Sequence, residues 1–345
     1  MQQFLMIGLF FLLISCKERP KQDNQPVLPF YKVGDMVGKL EKYEAGLDSI
    51  VNLGAQAEVL ATGFDWSEGP LWLEDLQTLI FSDVPRNKIY QWTALKGAQV
   101  YLEPSGYTKE MPSDSGESGS NGLSLDTAGN LLICQHGNRS VVRMESGLDK
   151  ASPIFKVLAK DYEGKRLNSP NDLVVNSDGE IFFTDPPYGL PSQSDQDPAK
   201  ELAWNGIYKI NKNGNLILLT DSISRPNGIS LFPFEKQLLV ANSDATKPNW
   251  YLWDIVDDSL KNGRIFYSLE GYDKNMPGLP DGLKMDRRGN VYASGPGGIY
   301  FFNKEGKKLG LFKLDYPASN VALSDDERTL YITNSSYVLR LALKN

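Results

Sequence analysis

Six stretches of this chain follow one pattern. Beginning at Ser67, Ser120, Pro170, Pro226, Pro280 and Ser319, they read SEGPLWLEDLQTLIFSD, SNGLSLDTAGNLLICQH, PNDLVVNSDGEIFFTDP, PNGISLFPFEKQLLVAN, PDGLKMDRRGNVYASGP and SNVALSDDERTLYITNS. Each has a small residue or proline, then Glu, Asn or Asp, usually Gly, a short alternating apolar strand, a polar turn and a second apolar strand. Period-two alternation broken by turn residues is the mark of a β-hairpin. The polar residues Glu68, Asn121, Asn171, Asn227, Asp281 and Asn320 recur at a period of roughly 50, with a shorter last step, as propeller blades do. Between the hairpins, GIYKINKNGNLILLTD and GIYFFNKEGKKLGLFKL place Asn-Gly and Glu-Gly turns between further apolar runs, so four strands fit each repeat. The prediction is an all-β, six-bladed β-propeller with four-stranded blades over residues 55–345, with EVLATGF at 58–64 closing the last blade. Closure leaves few sheet edges open. An eight-stranded barrel would use too few strands for this length, and a parallel α/β fold would need helices the chain does not show.

Radial repetition brings equivalent inner-strand positions to the axis, so the six polar side chains are expected to meet there. Carboxylates facing each other raise each other's pKa unless a cation lies between them. Glu68 and Asp281 beside the amides of Asn171 and Asn227 form a hard, all-oxygen set that suits Ca²⁺. Zn²⁺, Mg²⁺ and Mn²⁺ are the alternatives, zinc being least favoured because His136 is the sole histidine. The net charge of −7 and the lack of Lys/Arg runs exclude a nucleic-acid binder. The hydrophobic content of 41% is enough to bury a large core.

The N-terminus reads as a leader. Phe4 to Ile14 is too short to span a bilayer but fits a signal-peptide core. Leu13-Ile14-Ser15-Cys16 resembles a bacterial lipobox, which predicts a signal peptide over 1–15 and lipidation at Cys16. Lys17 in place of aspartate favours the outer membrane, facing periplasm or exterior. Cys134 would then be left alone, a buried structural thiol with no disulfide. A linker and a short amphipathic helix, with apolar residues at 37, 40, 43, 47, 50 and 51, are expected within 16–54.

GFDWSEGPLW, CQHGNRSVVR, NSPNDLVVNSDGEIFFTDPPYG, RPNGI and LPDGLKMDRRGNVY together resemble the gluconolactonase family, which includes senescence marker protein (regucalcin) and a bacterial drug-responsive lactonase. The resemblance runs from about Glu58 to the C-terminus. It implies a six-bladed propeller with one divalent metal in the axial tunnel and hydrolysis of sugar or other lactones. By motif it implies Glu68, Asn171, Asn227 and Asp281 as metal ligands, although in some members the counterpart of Asn171 faces substrate. It makes Asp281 both ligand and proton acceptor; Asp172, adjacent to the site, is the second candidate base. Asn121, Asn171, His136, Arg139 and Arg225 are the candidate substrate contacts, and Tyr107, Tyr188 and Trp204 could stack on a sugar ring. Against these stand a hydrogen-bonded structural role for His136, solvated or salt-bridged surface roles for the two arginines, and packing of the three loop aromatics onto the blades. A histidine dyad is impossible with one histidine, and no G-x-S-x-G elbow appears. The expected partner is a small-molecule lactone; no protein partner is implied. The competing functions are calcium-dependent phosphoester or fluorophosphate hydrolysis at the same site and a non-catalytic, lipid-anchored binding propeller.

Overall fold

The computed structural model describes residues 28–109 and 115–344. The expected signal peptide, lipobox and lipidated Cys16 lie outside them. Six antiparallel sheets surround an axis. The first runs outward through Ser67–Leu73, Thr78–Asp83, Lys88–Thr93 and Gly97–Leu102. The inner strands of the next five are Ser120–Leu125, Leu173–Val175, Pro226–Leu231, Leu283–Met285 and Asn320–Leu323. The last blade takes its fourth strand from ahead of the first blade: Ala57–Thr62 pairs antiparallel with Tyr337–Ala342, Val59 opposite Leu339. The six-bladed propeller and its expected closure by 58–64 are both present.

The second strand of every blade shows why the apolar runs are nearly continuous. A sheet buried on both faces needs apolar residues in and out of phase. Leu79 and Phe81 pack toward blade six, while Ile80 packs toward blade two with Leu131 and Ile133. Tyr292 faces blade six and its neighbours Val291 and Ala293 face blade four. Six hydrophobic clusters result, one per blade interface. Cys134 is buried and free in the cluster between blades two and three.

The helix expected within 36–51 is corrected by the structure. Met36–Val37 and Lys39–Lys42 are short strands, and only Ala45–Ser49 turns helically, as one 3-10 segment. The open edge of blade five supplies the reason: Lys39–Lys42 pairs with Lys308–Lys313, so the backbone groups are satisfied across strands. Gly38, at φ +82°, makes the bend between the two strands, with the Phe312 ring against it. Val37, Leu47, Ile50 and Val51 are buried all the same, so the apolar stripe marked the docking surface but not the conformation. Among the described residues no helix is long and apolar enough to cross a membrane.

Truncating Leu339, fully buried in the closing sheet, tests closure. Leu339→Ala should cost about 2–5 kcal/mol in urea unfolding, whereas truncating the exposed Leu95 should cost about 0.5 kcal/mol or less.

Candidate active site

The loops that lead to the axis are held by a second repeat, at the ends of the second strands. Asp83 accepts the backbone N–H groups of Asp65 and Trp66 just ahead of Glu68. Asp185 accepts those of Asn168 and Ser169 ahead of Asn171, each at 2.8 Å. Asn242 accepts that of Arg225 at 2.7 Å ahead of Asn227, and Asn334 donates to the carbonyls of Tyr316 and Pro317. Hydroxyls one position earlier join neighbouring blades. Ser82 donates to the Asn121 carbonyl at 2.8 Å, Thr184 to that of Asn227 at 2.7 Å and Ser294 to that of Ser319 at 2.8 Å. The ring is thereby pinned from outside and from the side.

Glu68, Asn121, Asn171, Asn227 and Asp281 line one cavity of about 410 Å³ with Trp66, Glu117, Tyr188, Gln193, Ser243, Leu279, Pro317 and Ala318. This is the convergence expected from the repeat, with one correction. Ser319 bonds the Thr333 carbonyl as Asn171 bonds that of Thr184 and Asp281 that of Ser294, so Ser319 holds the ring position in blade six. Asn320 sits one step further along, where Gly122 and Gly282 stand in blades two and five. Asp172 occupies that same step in blade three. The two meet across the axis, Asn320 Nδ2 donating to Asp172 Oδ2 at 3.4 Å. Side chains at Gly122 or Gly282 would run into them. Lys284 Nζ lies 3.7 Å from the same Asp172 oxygen. Asp172 therefore belongs to a layer beside the cavity and is not part of its lining.

The other candidates separate as well. Arg139 is buried and donates to the carbonyls of Leu167 at 2.6 Å and Ala199 at 2.8 Å, bracing the loops behind the site. Arg225 pairs with Asp195 at 3.2 Å and lies over the Tyr188 ring at 6.0 Å, supporting a lining residue from behind. His136 is fully buried behind Glu117. Of the three aromatic candidates, Tyr188 lines the cavity. The Trp204 indole donates to Tyr208 Oη at 3.0 Å and packs between blades two and three. Tyr107 lies against Gly137. Sequence reasoning missed Glu117, Gln193 and Ser243. The first two come from insertions without repeat counterparts; Ser243 follows the repeat's second strand and was legible there.

Electrostatically the cavity is an acid trap. Burial, reinforced by the Asp172 charge, lifts the Glu68 carboxyl from 4.5 to about 8. Burial and then Glu68 itself push Asp281 well above its ordinary range. Asn227 donates to Ser243 Oγ at 2.9 Å and to the Asp281 carboxylate, leaving its carbonyl oxygen for a ligand. Asn121 Oδ1 is buried with no hydrogen-bond partner. An orphaned buried acceptor beside two like charges is what a cation would satisfy. Among the described residues no three His, Cys, Asp or Glu side chains gather at metal-binding spacing. The donors that could hold a cation are thus two carboxylates and neighbouring amides, a hard set. A larger groove, about 800 Å³, lies between blades one and two on the rim, lined by Gln91, Thr93, Leu95, Tyr101 and Leu148 among others. It gathers no facing carboxyls.

The family model described as SMP-30/Gluconolactonase/LRE-like region matches residues 66–336. A gluconolactonase of Zymomonas mobilis is 37% identical over 317 residues, covering 90% of this chain and 88% of its own. The solved structure of a gluconolactonase from Xanthomonas campestris superposes with a TM-score of 0.76 at 29% identity, covering 91% of this chain and 99% of its own. A diisopropyl-fluorophosphatase of Loligo vulgaris is more distant, 24% identical over 52% of this chain and 58% of its own.

The Glu68 carboxyl keeps its proton to about 8 in the fold but ionises near 4.5 when unfolded, so its contribution to stability is complete below about 4.5 and lost as pH rises toward 8. Chelator-stripped protein should therefore show a melting temperature that falls across that window. Glu68→Gln should flatten the fall, and a divalent cation should reverse it in wild type; a flat wild-type profile would refute the assignment.

Proposed function

The chain belongs to the SMP-30/gluconolactonase/LRE-like family as a gluconolactonase-like lactone hydrolase, and from that premise we propose that it opens sugar lactones in the axial cavity, with Asp281 accepting a proton from the attacking water. The observation that carries this is the meeting of Glu68, Asn171, Asn227 and Asp281, each in its family motif, in one cavity of about 410 Å³, a size suited to small ligands. We assign these four as ligands of a divalent cation, Ca²⁺ by the hardness of the set. When bound, such an ion supplies Lewis-acid polarisation of the lactone carbonyl.

The chain's own groups do the rest. Asp281 takes the proton as the water oxygen bonds to the acyl carbon, a step typically contributing about 10²–10⁴-fold. Ser243 donates to the Pro280 carbonyl next to it, and Asn227 donates to its carboxylate, so the base is oriented from two sides. Asn121 offers its amide to a substrate hydroxyl, and Asn171, with its oxygen on the cation, has its Nδ2 left to donate to another. Trp66, Leu279, Pro317 and Ala318 give the C–H face of a sugar ring an apolar wall and displace water from it. A lipid anchor at Cys16 would tether this enzyme to the outer membrane. The fluorophosphatase match is the one observation favouring phosphoester hydrolysis at the same site, and a binding-only propeller would turn over neither substrate.

Hydrolysis of glucono-1,5-lactone, aldonolactones and diisopropyl fluorophosphate in a pH-indicator assay separates these readings. The sugar lactone should be opened, chelation should abolish the rate and a divalent cation should restore it. Asp281→Asn should lower kcat/KM by about 10²–10⁴-fold with the fold intact. Lactone turnover indifferent to Asp281→Asn would exclude Asp281 as base.

A further inference from the structure

A base for the water leaves the departing ring oxygen without an acid. Lactone hydrolysis breaks the bond between the acyl carbon and the ring oxygen, and a sugar alkoxide leaves poorly unless a proton reaches it as the bond breaks. Glu117 is a carboxyl of the same cavity outside the ring. It reaches the cavity from the loop leading into blade two, whereas Asp281 reaches it from blade five. In a ring of six these blades face each other, so a substrate between them has a carboxyl on either side.

Glu117 shares the cavity with the ring carboxyls, and its charge adds to the proton affinity of Glu68 and Asp281. Although 27% of its side chain meets solvent at the mouth, the walls are dense enough for burial to lift its carboxyl to about 7. A cation at the ring favours the ionised forms of Glu68 and Asp281, which divides the roles between opposite walls. Besides Glu68, Asp281 and Tyr188, which feel its charge, two groups stand against Glu117. Gln193 hydrogen-bonds its carboxyl from the insertion in blade three. His136 lies behind it, Nδ1 3.7 Å from Oε2, and neither imidazole nitrogen has a well-formed hydrogen bond. Burial lowers His136 to about 3, so the ring is neutral. Gly189 makes room for it, since a side chain there would meet the His136 Cβ at 2.6 Å. An imidazole fixed within one short displacement of a carboxyl is a partner that can aim it.

We propose that Glu117 is the proton donor to the leaving ring oxygen and that His136 and Gln193 position its carboxyl; the inference rests on the lactonase reading above. The water oxygen bonds to the acyl carbon and its proton passes to Asp281. The bond from acyl carbon to ring oxygen breaks, the electron pair stays on the ring oxygen and the Glu117 proton completes a hydroxyl group. The product is a hydroxy acid, and the proton on Asp281 returns through water to Glu117.

Leaving-group dependence tests this with the isosteric Glu117→Gln. Dihydrocoumarin releases a phenol, whose pKa is about 10, and needs protonation far less than a sugar alkoxide. The variant should lose about 10²–10⁴-fold in kcat/KM on glucono-1,5-lactone and at least about tenfold less on dihydrocoumarin. Glu117→Ala should regain sugar-lactone hydrolysis in proportion to added acetic acid, an arm that decides the matter even if dihydrocoumarin is a poor substrate. His136→Gln should show the same leaving-group selectivity in smaller measure. Equal losses on both lactones without acid rescue, or no loss on either, would overturn the donor role while leaving the lactonase intact. A wild type that opens no lactone would instead overturn the lactonase reading.

Discussion

The pairing of Ala57–Thr62 with Tyr337–Ala342 puts the first and last strands of the propeller in one sheet, and everything at the axis depends on it. A closed ring fixes how far each inner strand stands from the axis, and neighbouring inner strands are then near enough to bond directly. Gly122 N–H meets the Asn171 carbonyl at 2.7 Å, and Gly282 N–H meets that of Ser319 at 2.7 Å. Side chains at these crossings have nowhere to go, which is why glycine follows the polar residue in most repeats. Where it does not, in blades three and six, Asp172 and Asn320 fill the space the glycines leave.

That geometry has an electrostatic cost. Glu68 and Asp281 are brought together in a low-dielectric tunnel with Asp172 near both: burial and the Asp172 charge raise the proton affinity of Glu68, and burial, Glu68 and Asp172 raise that of Asp281. Such a cluster is unfavourable for folding alone and favourable once a cation is present. The proposed function thus rests on a constellation that a rigid scaffold can hold, and the two insertions bring Glu117, Tyr188 and Gln193 over it without disturbing the blades.

The fold was legible because each repeat states it again, so that one ambiguous strand is corrected by five others. The ring was legible wherever the polar residue stands five positions before its turn, as Asn121 does before Asp126 and Asp281 before Asp286, each of which bonds the far side of its turn. Asn320 misled because Ser-Asn copies the Ser120-Asn121 pair, yet it stands only four positions before Ser324; the count to the turn, and not the dipeptide, marks the register. The segment 36–51 misled for another reason, since strand alternation followed by a 3-10 turn imitates a helical stripe. Arg139 could not be read at all, because the carbonyls it binds lie 28 and 60 residues away. Glu117 sits in an insertion with no equivalent to compare, and only its neighbours in space mark it out.

The central claim is that the repeat exists at this axis to present oxygens to one divalent cation. Anomalous diffraction from crystals soaked in Mn²⁺ tests it most directly. A single peak on the tunnel axis, within about 2.0–2.6 Å of oxygens from Glu68, Asn171, Asn227 and Asp281, is the expected result. A cavity that stays empty at saturating metal, or a peak held by other residues, would contradict it.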